Sequence, residues 1–174
     1  MADPTTPLPD DDVDQADERT MLHGFLDFYR TVLARKAEGL TDDDARRQPC
    51  PPSDMSMMGL IRHMADVERN WAKRSFLDGP RDPIFHGDAH PDGDIDGDFH
   101  PPADATLDEA FEAYWAEIRA ADAVYADAGL DDVEAGGNRS HSLRWIYVHL
   151  IEEYARHVGH ADLVRQAIDG QTGD

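Results

Sequence analysis

Residues 142–170 read SLRWIYVHLIEEYARHVGHADLVRQAIDG, from Ser142 to Gly170. Apolar residues recur through this stretch with helical spacing. On a wheel turning about 100° per residue, with Ile146 at the origin, Leu150 lies at roughly +40°, Val164 at roughly 0° and Ile168 at roughly +40°. Glu153 then falls at roughly −20° and His157 at roughly +20°, inside the apolar stripe and one turn apart on the same face. A lone ionised carboxylate in that position costs several kcal/mol, so it must be protonated, paired or bound. A metal ion satisfies both side chains at once.

The remaining chain supplies partners for such a helix. ERTMLHGFLDFYRTVLARKAE places Leu22, Phe25, Leu26, Tyr29, Val32, Leu33 and Lys36 at helical spacing, with Gly39 as the expected cap. LTDDDARRQ offers Thr41 as the cap of a short acidic-first helix before PCPP interrupts the chain. A second long helix is expected from Ser53–Ser56 through MMGLIRHMADVERNWAKRSFLDG, with Leu60, Met64, Val67 and Trp71 as its stripe and Gly79-Pro80 as its stop. His63 lies at roughly −60° from Leu60, on the flank of that stripe. Thr106 and Glu109 match a capping box opening a third long helix, TLDEAFEAYWAEIRAADAVYADAG. Its stripe includes Leu107, Phe111, Tyr114, Trp115, Ile118 and Val124. The stretch LDDVEAGGNRSH reads as a loop, and the fourth long helix runs from about Ser142 to Asp169. Four long helices without a strand candidate predict an all-α fold, a four-helix bundle occupying residues 18–171. Residues 1–17, rich in proline and acids, read as a disordered arm.

Composition narrows the function classes. Sixteen Lys and Arg stand against 37 Asp and Glu, a formal charge of −21, which disfavours nucleic-acid and anionic-membrane partners. Hydrophobic residues make up 40% of the chain, and no apolar run approaches the ~20 residues of a membrane span. The N-terminus has no signal-peptide core, so a soluble cytoplasmic protein is expected. Cys50, in QPCPPSD, is the only cysteine; no intrachain disulfide or CxxC motif is possible, and it reads as a linker residue.

Bundles build metal sites from inward side chains on facing helices. His63, Glu153 and His157 would supply two imidazoles and a carboxylate, leaving an open position for water or substrate. Such a set suits zinc and also nickel, iron or manganese. His149 and His160, on the flank of the same face, are rival ligands or outer partners. The competing readings are a hydrogen-bonded core histidine at 63, and Glu153 paired with His149, His157, Arg144 or Arg165. The loop between the second and third long helices, residues 80–105, begins like a calcium loop at Asp92, Asp94, Asp96 and Gly97. It carries Ala103 where the bidentate acid belongs, which excludes an EF-hand. Its segment 88–100 reads as a solvated loop near the bundle end, a possible lid with weak divalent binding by its acids.

PSDMSMMGLIRHMADVERNW together with SLRWIYVHLIEEYARHVGHADLVRQAIDG resembles the DinB-like superfamily, over about residues 19–171. The resemblance is to its actinobacterial mini-circle-protein-like members. It implies a four-helix bundle, often a homodimer, with a metal triad of one histidine from the second long helix and two ligands from the fourth. By position these are His63, Glu153 and His157. Many members have histidine where Glu153 stands; the mycothiol-dependent maleylpyruvate isomerase branch is similar to this chain in having glutamate. No counterpart of that isomerase's C-terminal domain is expected after the fourth helix. Two functions follow as expectations. One is a metal-dependent enzyme that uses a low-molecular-weight thiol such as mycothiol or bacillithiol on a small-molecule electrophile. The other is a non-catalytic, metal-binding, dimerising stress-response protein.

Overall fold

Asp17, Ser56, Thr106 and Ser142 each accept a hydrogen bond from the backbone N–H three residues on, and a long helix starts at each. These caps satisfy donors that the first helical turn leaves without intrahelical partners. The helices are α1 (Glu18–Lys36), the short α2 (Asp42–Arg46), α3 (Met57–Arg69), α4 (Leu107–Ala126) and α5 (Leu143–Asp169). At Thr106 the expected capping box with Glu109 is complete, and Gly170 closes α5 in the left-handed conformation, φ 81°. The structure, a computed structural model, describes residues 13–135 and 140–172. Residues 1–12 of the expected arm lie outside the described residues; in its remainder, Val13 packs against Gly24 of α1.

Two sequence expectations are corrected at helix ends. Helix α1 stops at Lys36 with Ala37 as its cap, ahead of Gly39, which serves the following turn at φ 75°. The second long helix does not stay α-helical to its end. From Asn70 to Phe76 it widens into a π-helical segment, closed by the Gly79 N–H donating to the Lys73 carbonyl at 2.9 Å.

Helix α1 packs along α5, and α3 along α4. Glu18 pairs with Arg144 and Lys36 with Asp162, so α1 and α5 run parallel. Arg69 meets Glu117 and Phe76 meets Tyr125, so α3 and α4 also run parallel. His63 meets His157 and Trp71 meets His149, which makes α3 and α5 antiparallel. This is a four-helix bundle of two parallel pairs, and the parallel α3–α4 pair demands a long return connection. Residues 77–106 provide it, running back along α3. Among the described residues no helix is long and apolar enough to cross a membrane.

That return segment is held by α3 itself. Asp66 accepts from the Ile84 and Phe85 N–H groups at 2.7 and 3.1 Å, and Arg62 donates to the Asp98 and Gly97 carbonyls at 3.3 and 3.0 Å. At Gly59 a Cβ would stand 3.0 Å from the Phe99 carbonyl oxygen, so glycine is what lets the segment lie this close. Residues 84–85 and 97–99 thus form a packed strap along α3, while residues 88–96 between them are mostly exposed, as expected of a solvated loop.

The core is apolar with a charged centre. Leu26, Leu33, Met57, Met58, Leu60, Ile61, Met64, Ile146 and Leu150 are fully buried, as are Tyr114 and Tyr154. Among them Arg30 and Glu68, 1% and 0% exposed, form a bidentate pair at 2.7 and 2.8 Å. The remaining Arg30 nitrogen donates to Asp27 and Asp122, both at 2.9 Å. Phe25, expected in the α1 stripe, is instead 48% exposed.

His23 lies on the rim of this network. The hydrogen bonds to Asp122 and Asp27 push its pKa up to about 9 against partial burial. Its other neighbour is the Tyr147 ring. The resulting stabilisation is full below pH 6.5, where folded and unfolded chains are both protonated. It disappears as pH rises through about 9. His23→Gln is therefore expected to lower the melting temperature near neutral pH and to match the parent above that point; a constant difference across the range contradicts the assignment.

Candidate metal centre

On α3, His63 faces the strap; on α5, Glu153 and His157 stand one turn apart. One ligand atom from each of the three lies within 4.8 Å of the others. The three residues expected from the sequence thus converge across two antiparallel helices.

His63 is fixed on two sides. Its Nδ1 lies 2.7 Å from Asp98 Oδ2, and the Phe99 ring stacks on it at 4.5 Å and 26°. With Asp98 ionised, Nδ1–H donates, and in the neutral ring that tautomer keeps its lone pair on Nε2. Burial pushes the Asp98 carboxyl up, but the hydrogen bond and charge of His63, with the charge of His86, outweigh it and hold it below the ordinary range. A carboxylate behind a histidine in this way orients the ring and raises its basicity toward a metal. Asp98 was not identified from the sequence as part of the site. Its residue type was legible in DGDFHPP, but no local spacing ties it to a histidine 35 positions earlier.

His157 is buried, and its pKa is pushed down to about 3, first by burial and then by the neighbouring His63, His160 and Arg156 charges. Its imidazole is neutral at physiological pH, the form that binds metals. His160 Nδ1 stands 3.4 Å from His157 Nδ1, and on the other side His157 Nε2 is 3.5 Å from Glu153 Oε2. His160 therefore sits behind His157 as Asp98 sits behind His63.

Among the described residues Glu153 has no buried cationic partner. Arg156 reaches it from the exposed side at 3.4 Å, and His149 Nε2 is 3.7 Å away. Of the pairings the sequence allows, His157 and His149 approach Glu153 at 3.5 and 3.7 Å, whereas Arg144 and Arg165 are engaged with Glu18 and Asp131 and with Asp169. Two imidazoles and one carboxylate, with His63 and Glu153 22% and 17% exposed, form a donor set that fits a divalent ion with an open face.

Among the described residues two further groups bring donors equally close: His149 with Glu152 and Glu153, and His23 with Asp27 and Asp122. The second already holds a cation, since Arg30 bonds both of its aspartates. In the first, His149 is stacked on Trp145 at 4.8 Å, with Trp71 edge-on at 4.7 Å. Glu152 there is half-exposed and bonded to Arg156.

Residues 21–170 match the family model described as mycothiol-S-transferase. The chain belongs to this family. Mycothiol-S-transferases fall within the DinB-like superfamily, in line with the resemblance carried by the α3 and α5 sequences. A crystal structure of a conserved protein from Enterococcus faecalis shares the fold, with a TM-score of 0.62, 17% identity, and 90% of this chain and 99% of that chain covered. At that identity the likeness concerns the fold alone. Among curated proteins none matches this chain. Family membership makes a thiol the relevant small molecule, and the His and Glu groups above make a metal compatible with it.

Proposed function

We propose that this mycothiol-S-transferase family member transfers a low-molecular-weight thiol, of the mycothiol or bacillithiol type, onto an electrophilic small molecule in the cytoplasm. The proposed site is a divalent metal, zinc first among zinc, nickel, iron and manganese, held by His63, Glu153 and His157. The observation that carries the reading is the approach of their ligand atoms to within 4.8 Å on facing helices. A divalent ion there, when bound, supplies Lewis acidity that favours the thiolate form of an entering thiol at neutral pH.

The chain's own residues do the rest. Asp98 holds His63 in one tautomer and one orientation. Phe99 covers one face of that ring and keeps water from it. Burial keeps His157 unprotonated. In the transfer the thiol loses its proton to solvent, the sulfur forms a bond to the electrophilic carbon, and the displaced group leaves with the bonding electron pair. Cys50, whose Sγ faces the Leu163 carbonyl at 3.8 Å, takes no part. The homodimer implied by the resemblance belongs to this reading and is tested by sedimentation.

The test is a panel of electrophiles assayed with mycothiol, bacillithiol, glutathione and cysteine, metal-loaded against metal-free protein. Acceleration that depends on both metal and thiol, and survives Cys50→Ser, is the expected result. No acceleration, with no spectral change when thiol meets the cobalt-substituted protein, would favour a non-catalytic metal-binding role. A separate prediction concerns the carboxylate behind His63. Asp98→Ala is expected to weaken metal binding by about 10–100-fold, the usual effect of losing an outer partner of a ligand. Competition with a chromogenic chelator measures it, and unchanged affinity would remove Asp98 from the site.

A further inference from the structure

A small cleft opens to solvent beside the strap, lined by Asp66, Arg69, Asn70, Arg74, Arg81 and His86 among others. On a chain of charge −21, three arginines around one cleft invite an explanation. Its two acids are already engaged. Asp66 accepts from the Ile84 and Phe85 N–H groups, and Asp82 from Lys73 at 2.7 Å and Arg69 at 3.3 Å. Arg74 and Arg81 have no carboxylate partner among the described residues; Arg74 donates only to the Gly79 carbonyl, at 3.3 Å.

Two nitrogens of lining residues are buried without a hydrogen-bond partner, Arg69 Nε and His86 Nδ1. His86 Nδ1 lies 3.2 Å from Asp66 Oδ2 but out of hydrogen-bonding line. Buried nitrogens left in this way are uncommon, because the lost hydration is not replaced. An oxyanion supplies several acceptor lone pairs at once and matches the planar fork of arginine. Asn70 and Arg74, in the π-helical segment, line the cleft together with Arg69.

The cleft and the candidate metal centre share α3. Asp66 follows His63 by three residues, about 4.5 Å along the α3 axis. At the same end His86 lies near enough to Asp98 for its charge to act on that carboxylate.

We propose that this cleft binds an oxyanion, a carboxylate or phosphate group carried by the acceptor molecule, and so orients the acceptor toward His63. The anion site stands on the cleft alone; its assignment to the acceptor rests on the transferase reading above.

The experiment has two arms. In the first, the full chain is titrated at low ionic strength with succinate and with inorganic phosphate, followed by amide NMR, with glycerol as a neutral control. Saturable shifts at Asn70, Arg74 and Arg81 are expected for the anions, weakening as sodium chloride is added. The tighter of the two anions identifies the group. Arg74→Ala and Arg81→Ala, both at exposed positions, are each expected to weaken binding roughly tenfold. No saturable shift at these residues, equal binding of glycerol, or binding unaltered in both variants overturns the site.

In the second arm, transfer is measured to acceptors differing only in a carboxylate. Arg81→Ala is expected to raise KM for the carboxylated acceptor several-fold more than for the neutral one. Equal changes for both acceptors overturn the acceptor assignment. Anion binding that persists in a protein without any transfer activity overturns the transferase reading and leaves the cleft standing.

Discussion

Glu68→Ala is expected to cost about 3–5 kcal/mol of folding stability, the usual result of removing one partner from a buried ion pair. Burial disfavours the Arg30 charge, yet the Glu68 charge and hydrogen bonds hold its pKa well above the ordinary value. Without Glu68 the guanidinium keeps only Asp27 and Asp122, and the Tyr154 hydroxyl, which donates to Glu68 Oε1 at 2.8 Å, loses its acceptor. Replacing both partners with apolar residues, Arg30→Met with Glu68→Leu, is expected to cost much less than Glu68→Ala, because no charge is stranded. Urea unfolding of the three proteins checks this. A loss below about 1 kcal/mol for Glu68→Ala, the size of an exposed pair, would mean that the pair is not sealed from water.

His63→Ala and His157→Ala are each expected to lower metal affinity by more than the roughly 10–100-fold that a lost outer partner costs. Thiol transfer is expected to fall to the metal-free level in both. Glu153→Gln keeps the volume but removes the charge, and is expected to weaken binding less than either histidine substitution. His149→Ala decides between the two overlapping donor groups on α5. If the ion sits with His63, Glu153 and His157, removing the His149 imidazole leaves metal affinity within a few-fold of the parent. If the ion sits with His149, Glu152 and Glu153, affinity collapses in His149→Ala and persists in His63→Ala. Calorimetric metal titration of the parent and variants separates the two outcomes.

The way these side chains meet also shows how far the sequence could be read. Glu153 and His157 were legible because both belong to one helix, whose geometry fixes their angular relation without reference to anything else. The same wheel applied to Glu68 places it at roughly +80° from Leu60, between Met64 and Ile61, so the signal for a buried carboxylate on α3 was present as well. The wheel could not name its partner, because Arg30 lies 38 residues away. Phe25 misled for a related reason. Its spacing fits a stripe, but burial depends on which α1 face the other helices cover, and that face takes in Arg30, against Glu68 and Asp122, and Lys36, against Asp162, instead. The change to π-helical geometry after Arg69 also leaves no trace on a wheel drawn at about 3.6 residues per turn.

By itself the sequence determined the four long helices, the capping box of Thr106 with Glu109, and the two ligand candidates on α5, because all of these depend on residues within one or two turns. Only the tertiary structure decided that α3 runs parallel to α4, that the connection between them must therefore return along α3, and that it sets Asp98 behind His63 and the arginine cleft beside it. Those pairings join residues far apart in the chain. They are chosen by which helix faces bury the most apolar surface together, a property of the whole packed bundle that no single segment carries.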